Sequence, residues 1–262
     1  MKRKFEVFVG NSFIKSFLLA ISTILLSHSV SASEIKCEYG KEGTCPEGQF
    51  CINADKGKAI CKPHYSDVQP IGFPFDSNIP IWCDQGDLTP SGNSHTWVNT
   101  AFALDLHSKR PKKPNIPVIA VISGKVIAYG GCKTENDQCG LGFGNQVKIL
   151  NDDGRMAFYA HLDGVVVKTG DVVKIGDRIG TEGMTGWTGK GNPHLHFSMH
   201  ENWKTNDFEY WKQNGYLPPS IPFKLTYCEN GCKGNCKKIE LDSRDIPCRR
   251  MSGDVTAMCK AN

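Results

Sequence analysis

Asn192-Pro193-His194-Leu195-His196-Phe197 sets two imidazoles one residue apart. In a β-strand, residues two apart share a face, so both rings can enter one pocket while Leu195 packs beneath them. Imidazole is a preferred zinc ligand, and a strand holds its ligands rigidly. The H-x-H pair alone is a weak signal. Tyr159-Ala160-His161-Leu162 ends an alternating, strand-like run with a third histidine, which taken alone reads as structural or solvent-facing. Ala103-Leu104-Asp105-Leu106 buries a carboxylate among apolar neighbours, where a charge without a partner is costly. A metal or a buried hydrogen-bonding partner would resolve that cost. Ser94-His95-Thr96 lies upstream in a polar stretch, and His95 by itself is a surface loop residue.

These side chains need a frame. Between residues 68 and 205, short β-rich runs alternate with Gly, Asn and Asp turns. Strands are predicted over 101–106, 117–122, 125–129, 146–150, 156–161, 165–167, 178–179 and 194–199, several with period-two alternation. Val-Lys-Thr-Gly-Asp-Val-Val-Lys-Ile-Gly-Asp over 167–177 places Gly at two tight corners. No helical stripe occurs in this stretch, and a helix is predicted only over 207–214. The expected fold is all-β, a compact antiparallel sheet core with small disulfide-rich segments at both ends.

Those segments follow from the cysteines. All 12 fall after residue 32. Cys37, Cys45, Cys51 and Cys61 crowd a Gly-, Pro- and Lys-rich stretch with too little apolar bulk to fold without cross-links. Cys228, Cys232, Cys236, Cys248 and Cys259 close the chain, and Cys83 makes that group even. Cys132 and Cys139 suit a locally stapled hairpin loop. An even count behind an export signal reads as disulfides in an oxidising compartment. That signal is predicted over 1–32, with basic Lys2, Arg3, Lys4 and Lys15, an apolar run from Phe17 to Leu26, and Val30-Ser31-Ala32 as the cleavage pattern. An uncleaved N-terminal anchor is the alternative. No membrane span is expected in the mature chain. Residues 1–32 hold four basic residues and one acid, so the charge falls from +4 to +1 once they are removed. Nucleic-acid binding therefore gains no support.

Neither H-E-x-x-H nor G-x-S-x-G occurs, which excludes helical zincins and α/β serine hydrolases. Cysteines tied in disulfides are poor nucleophiles. The series His95, Asp105, Tyr159-Ala160-His161 and His194-Leu195-His196 resembles the LytM/lysostaphin-type zinc endopeptidases, peptidase family M23. Gly142-Phe143-Gly144-Asn145, Gly170-Asp171, Gly176-Asp177 and Gly183-Met184-Thr185-Gly186 add to the resemblance, which covers about residues 95–200.

The resemblance implies that Asp105 and His196 ligate one Zn2+ and that His161 and His194 are catalytic. Asn145 matches a residue lining the groove. The commoner pattern has a histidine four residues before the aspartate, where this chain has Ala101. The variant H-x9-D makes His95 the remaining ligand, with His107 as a competitor on the strand face of Asp105. Two histidines and a carboxylate leave an open zinc position for water. His161 and His194 would share the proton transfers. The implied function is a secreted or periplasmic, monomeric endopeptidase acting on peptidoglycan peptides, with domains at 1–32 (signal), 33–66 (Cys-rich), 67–205 (peptidase) and 206–262 (Cys-rich). A metal-free relative that binds wall peptide or activates a partner hydrolase is the alternative.

Overall fold

A computed structural model of the chain describes residues 36–37, 44–46, 49–54, 58–63, 70–76, 79–86, 95, 97, 99–108, 116–133, 137–189, 192–201, 217–218, 220–229, 236–246, 248 and 257–260. The export signal and the helix expected over 207–214 lie outside the described residues. Among the described residues no α-helix occurs, and no helix is long and apolar enough to cross a membrane.

The strands run in chain order as β1 (Gln49–Ala54), β2 (Lys58–Pro63), β3 (Pro70–Ile71), β4 (Trp82–Gln85), β5 (Leu104–His107), β6 (Pro117–Ile119), β7 (Gly124–Tyr129) and β8 (Asn145–Leu150). There follow β9 (Arg155–Leu162), β10 (Gly164–Val165), β11 (Val172–Val173), β12 (Arg178–Thr181), β13 (Leu195–Glu201), β14 (Ser220–Ile221), β15 (Lys224–Glu229), β16 (Lys237–Asp242) and β17 (Met258–Cys259). The expected all-β class and antiparallel core are both present. The main sheet has the order β11-β7-β8-β9-β13-β5-β4, with β14 added to β13. Every pair in it is antiparallel. A smaller antiparallel sheet β10-β12-β6 and a third, β16-β15-β17, complete the frame; β3 joins β15 as a parallel pair.

Period-two alternation gives the main sheet two unlike faces. Val126, Val147, Ile149, Ala157, Tyr159, Leu195, Phe197, Met199, Leu104 and Leu106 point into the principal core. The opposite face carries Leu150, Met156, Phe158 and Ala160, covered in part by Leu217. Tyr159 spans the core, and its hydroxyl accepts the Val121 N–H at 2.8 Å. Tyr159→Phe leaves that enclosed N–H without an acceptor, so a loss of about 1–3 kcal/mol is expected in urea denaturation.

The two Gly corners repeat one device. The carboxylates of Asp171 and Asp177 accept the backbone N–H of Lys168 and Lys174, each at 2.8 Å, while Gly170 and Gly176 take φ of 100° and 92°. A left-handed φ there is cheap only for glycine.

Disulfides join Cys45 to Cys61, Cys83 to Cys248, Cys132 to Cys139 and Cys228 to Cys236. Cys83 thus pairs into the C-terminal group, and Cys132–Cys139 staples the β7–β8 connection as expected. Phe223, Leu225, Tyr227, Ile246, Cys248 and Met258 lie in the same core as the main sheet. The C-terminal strands therefore share the hydrophobic interior that supports the site.

Candidate active site

In the ladder between β5 and β13, Asp105 lies opposite His196. Both side chains stand on the face away from the principal core. His95 reaches the same point from the segment before β5. Its Nε2 lies 3.1 Å from Asp105 Oδ1 and 3.3 Å from His196 Nδ1, and His196 Nδ1 lies 3.0 Å from that carboxylate oxygen. All three residues are buried, and their ligand-type atoms fall within 4.8 Å of one another. His107 shares the strand face of Asp105 but does not belong to this group.

Backbone carbonyls dictate which nitrogen each ring presents. The Gly86 carbonyl accepts from His95 Nδ1–H at 3.0 Å, the Asn192 carbonyl from His194 Nδ1–H at 2.9 Å, and the Thr185 carbonyl from His161 Nδ1–H at 2.8 Å. A carbonyl can only accept, so in all three the Nε2 lone pair is left for the site. His194 Nε2 lies 3.7 Å from Asp105 Oδ1. His196 has the opposite orientation: Nδ1 faces the cluster, and its buried Nε2 has no hydrogen-bond partner among the described residues. Phe143 and Phe158 pack around that ring.

His161 is placed by a backbone irregularity. Strict alternation along β9 would send it to the core side with Tyr159. Its φ is instead 60°, a left-handed value that turns the ring outward against His194, with centroids 4.8 Å apart. Non-glycine residues hold such a φ only where the surroundings enforce it. Here the His161 N–H donates to the Phe143 carbonyl at 2.9 Å, and the ring is fixed by Thr185.

Thr185 belongs to a clasp between two loops. Its hydroxyl accepts from Asn145 N–H at 2.9 Å and donates to the Leu162 carbonyl at 2.8 Å, while Trp187 N–H donates to the Gly142 carbonyl at 2.7 Å. Asn145, expected to line a groove, is buried instead. Its side chain bonds both backbone groups of Cys132 and donates to the Leu162 carbonyl at 3.0 Å. Asn145 thus ties the Cys132–Cys139 loop to the strand that carries His161. Sequence reading missed Thr185 and Phe143 as positioning residues. Their signal was the glycine pattern around each, which permits close backbone approach. On the exposed crest of the clasp stand Leu141 and Trp187, and Trp97 is also exposed.

Charge in this pocket is concentrated on Asp105. Burial alone would raise its carboxyl, but the electrostatic influence of His95 and His194 and the close approach of His196 hold it well below the usual range. Burial, aided by His194 and His196, pushes His161 well below an ordinary histidine, and burial also lowers His196 against the pull of Asp105. Both rings are therefore neutral at pH 7, as a metal ligand or a proton acceptor must be.

Lys148 shares this sheet face and is only 4% exposed. Burial draws its ammonium down to about 8. An unfolded lysine titrates near about 10.4, so between the two values the unfolded chain binds more protons. Stability is consequently expected to rise with pH from about 8 to about 10.4, with the full penalty present below 8. Lys148→Met is expected to gain about 1–3 kcal/mol at neutral pH and to flatten that rise, measured by urea titration at both pH extremes.

The sequence model of Peptidase family M23 matches residues 105–208. Lysostaphin of Staphylococcus simulans is 39% identical over 87 residues, 33% of this chain and 16% of that protein. The glycyl-glycine endopeptidase ALE-1 of Staphylococcus capitis is 34% identical over 106 residues, 38% of this chain and 27% of that protein. The chain thus spans less than a third of the length of these relatives. Lipoprotein NlpD of Yersinia enterocolitica is 30% identical over 98 residues, 37% of this chain and 91% of that protein. Among solved structures, the lysostaphin catalytic domain is 27% identical, with 56% of this chain and 93% of that chain covered at a TM-score of 0.33. His95 precedes the matched segment and enters the site only through the fold. Through the segment that supplies Asp105, His161, His194 and His196, the chain belongs to peptidase family M23.

Proposed function

We propose that the chain is a zinc metalloendopeptidase that hydrolyses peptide bonds of peptidoglycan stem or cross-bridge peptides. The observation that carries this reading is the convergence of His95 Nε2, Asp105 Oδ1 and His196 Nδ1 in a buried pocket that two further histidines face. The donor set suits zinc: two imidazoles and one carboxylate, with the His95 ring oriented by the Gly86 carbonyl. His196 fits in particular, since a proton on its secluded Nε2 leaves Nδ1 a lone pair directed at the cluster.

Bound there, zinc supplies a Lewis acid that acidifies water and polarises a scissile carbonyl. The chain's own part is proton handling and orientation. One of His161 and His194 takes the proton of the attacking water at Nε2. The other hydrogen-bonds the developing oxyanion or protonates the departing amine. Thr185 and Asn192 keep both rings in the tautomer this requires. The target class follows the relatives, which include a glycyl-glycine endopeptidase. In this reading residues 1–32 export the chain, 67–205 form the peptidase domain, and the flanking Cys-rich stretches 33–66 and 206–262 protect it or recognise the target. The mature chain acts as a monomer in the bacterial periplasm or outside the cell.

The test is to produce the oxidised chain, measure its zinc, and assay release of soluble peptide from purified cell walls. One zinc per chain with new amino termini in the digest is expected. A well-folded chain with neither would make it a wall-binding or activating relative.

A further inference from the structure

Lys148 is a charged residue that the proposed reaction does not use. In the main sheet it pairs with Ile127 of β7 and Phe158 of β9, and Phe158 in turn pairs with Ser198 of β13. Cross-strand partners share a face, so Lys148 stands on the side that carries Asp105 and His196. His196 is one alternate position along β13 from Ser198. Two strand spacings across and two residues along put the Cα atoms of Lys148 and His196 about 12 Å apart.

The surroundings of Lys148 are apolar. Leu150, Met156 and Phe158 are buried on this face, with Ile127 and Phe143 packed against them. Among the described residues no carboxylate pairs with the ammonium. Arg155 is held by Asp153 at 2.6 Å, and Lys125, opposite Leu150 on this face, is exposed. A buried lysine with no carboxylate partner among the described residues, on the face that carries the converging histidines, is a candidate binding group. On a peptide, the anionic group that such an ammonium can hold is a carboxylate.

We infer that Lys148 holds a carboxylate of the bound peptide, so that the protein prefers substrates with a free carboxylate about three to four residues from the scissile bond, at about 3.3 Å per extended residue. This rests on the peptidase reading and names its substrate as an acidic peptide.

The test uses the zinc-loaded chain and paired peptides with Glu or Gln at the third and fourth residues on either side of the cleavage point. Binding is measured by calorimetry, which needs no turnover, and cleavage is followed separately. Wild type is expected to bind one Glu peptide at least about tenfold more tightly than its Gln partner, the size of one charge-assisted contact. Lys148→Met is expected to bind the two alike, with its zinc content intact, and Lys148→Arg to keep part of the preference. Equal affinities in wild type, a preference that survives in Lys148→Met, or no binding of either peptide would each overturn the inference. Cleavage without discrimination leaves the peptidase reading standing and removes this one. Discrimination without cleavage does the reverse.

Discussion

His95→Ala is expected to leave the protein without zinc and to lower peptide hydrolysis by more than about 100-fold. Loss of an outer-sphere partner alone already costs about 10- to 100-fold in such sites, and His95 would be one of only three protein ligands. With its ring gone, His196 and Asp105 remain as two ligands, too few for a retained catalytic zinc. His107 cannot replace it: it lies on the strand face of Asp105 but outside the converging group. His107→Ala is therefore expected to keep both zinc and activity. Metal analysis of the two variants after dialysis decides between them. Zinc kept in His95→Ala, or lost in His107→Ala, would falsify the ligand assignment, whatever the activity.

The second large effect is expected at Gly144. This residue has φ of 64°, and a Cβ built on it would fall on the Thr185 carbonyl and hydroxyl. Gly144→Ala therefore combines left-handed strain of about 1–2 kcal/mol with an overpacked backbone contact of about 1–3 kcal/mol. A total of about 2–5 kcal/mol should appear as a lower urea midpoint. The displaced group is the carbonyl that fixes the His161 tautomer, so kcat should fall even at temperatures where the variant is fully folded. Zinc content should not change, because His95, Asp105 and His196 lie on other segments. Gly142 is the internal control. Its φ is also positive, at 87°, but a Cβ there meets nothing closer than 3.8 Å. Gly142→Ala should show only the backbone strain. Similar losses in the two variants would mean that the clasp does not position His161.

Much of the frame was legible before any coordinates. The strands around Asp105 and His196 alternate cleanly, because one side of each faces the principal core. The same alternation put both residues on one face, and their pairing in the ladder follows from it. Other features were not legible. His161 breaks the alternation through a backbone angle that no residue pattern announces, and a lone histidine at a strand end carries no sign of it. Asn145 sits in a Gly-Asn turn that suggests a groove wall, yet its amide is consumed in tying Cys132 to Leu162. Lys148 reads as the polar member of a half-exposed strand. Only the apolar residues gathered on the outer face, Leu217 among them, make it a buried charge.

From sequence alone came the all-β class, the disulfide-rich ends, the H-x-H pair and the carboxylate that needed a partner. These are properties of local period and composition, since a strand's two-residue repeat decides the side of each residue before any partner is known. The H-x9-D spacing favoured His95 over His107 only through the family resemblance; the tertiary structure is what brings its ring to Asp105 and turns His161 toward His194. Those placements depend on where a loop returns in space and on the carbonyls it meets there, which local period does not encode.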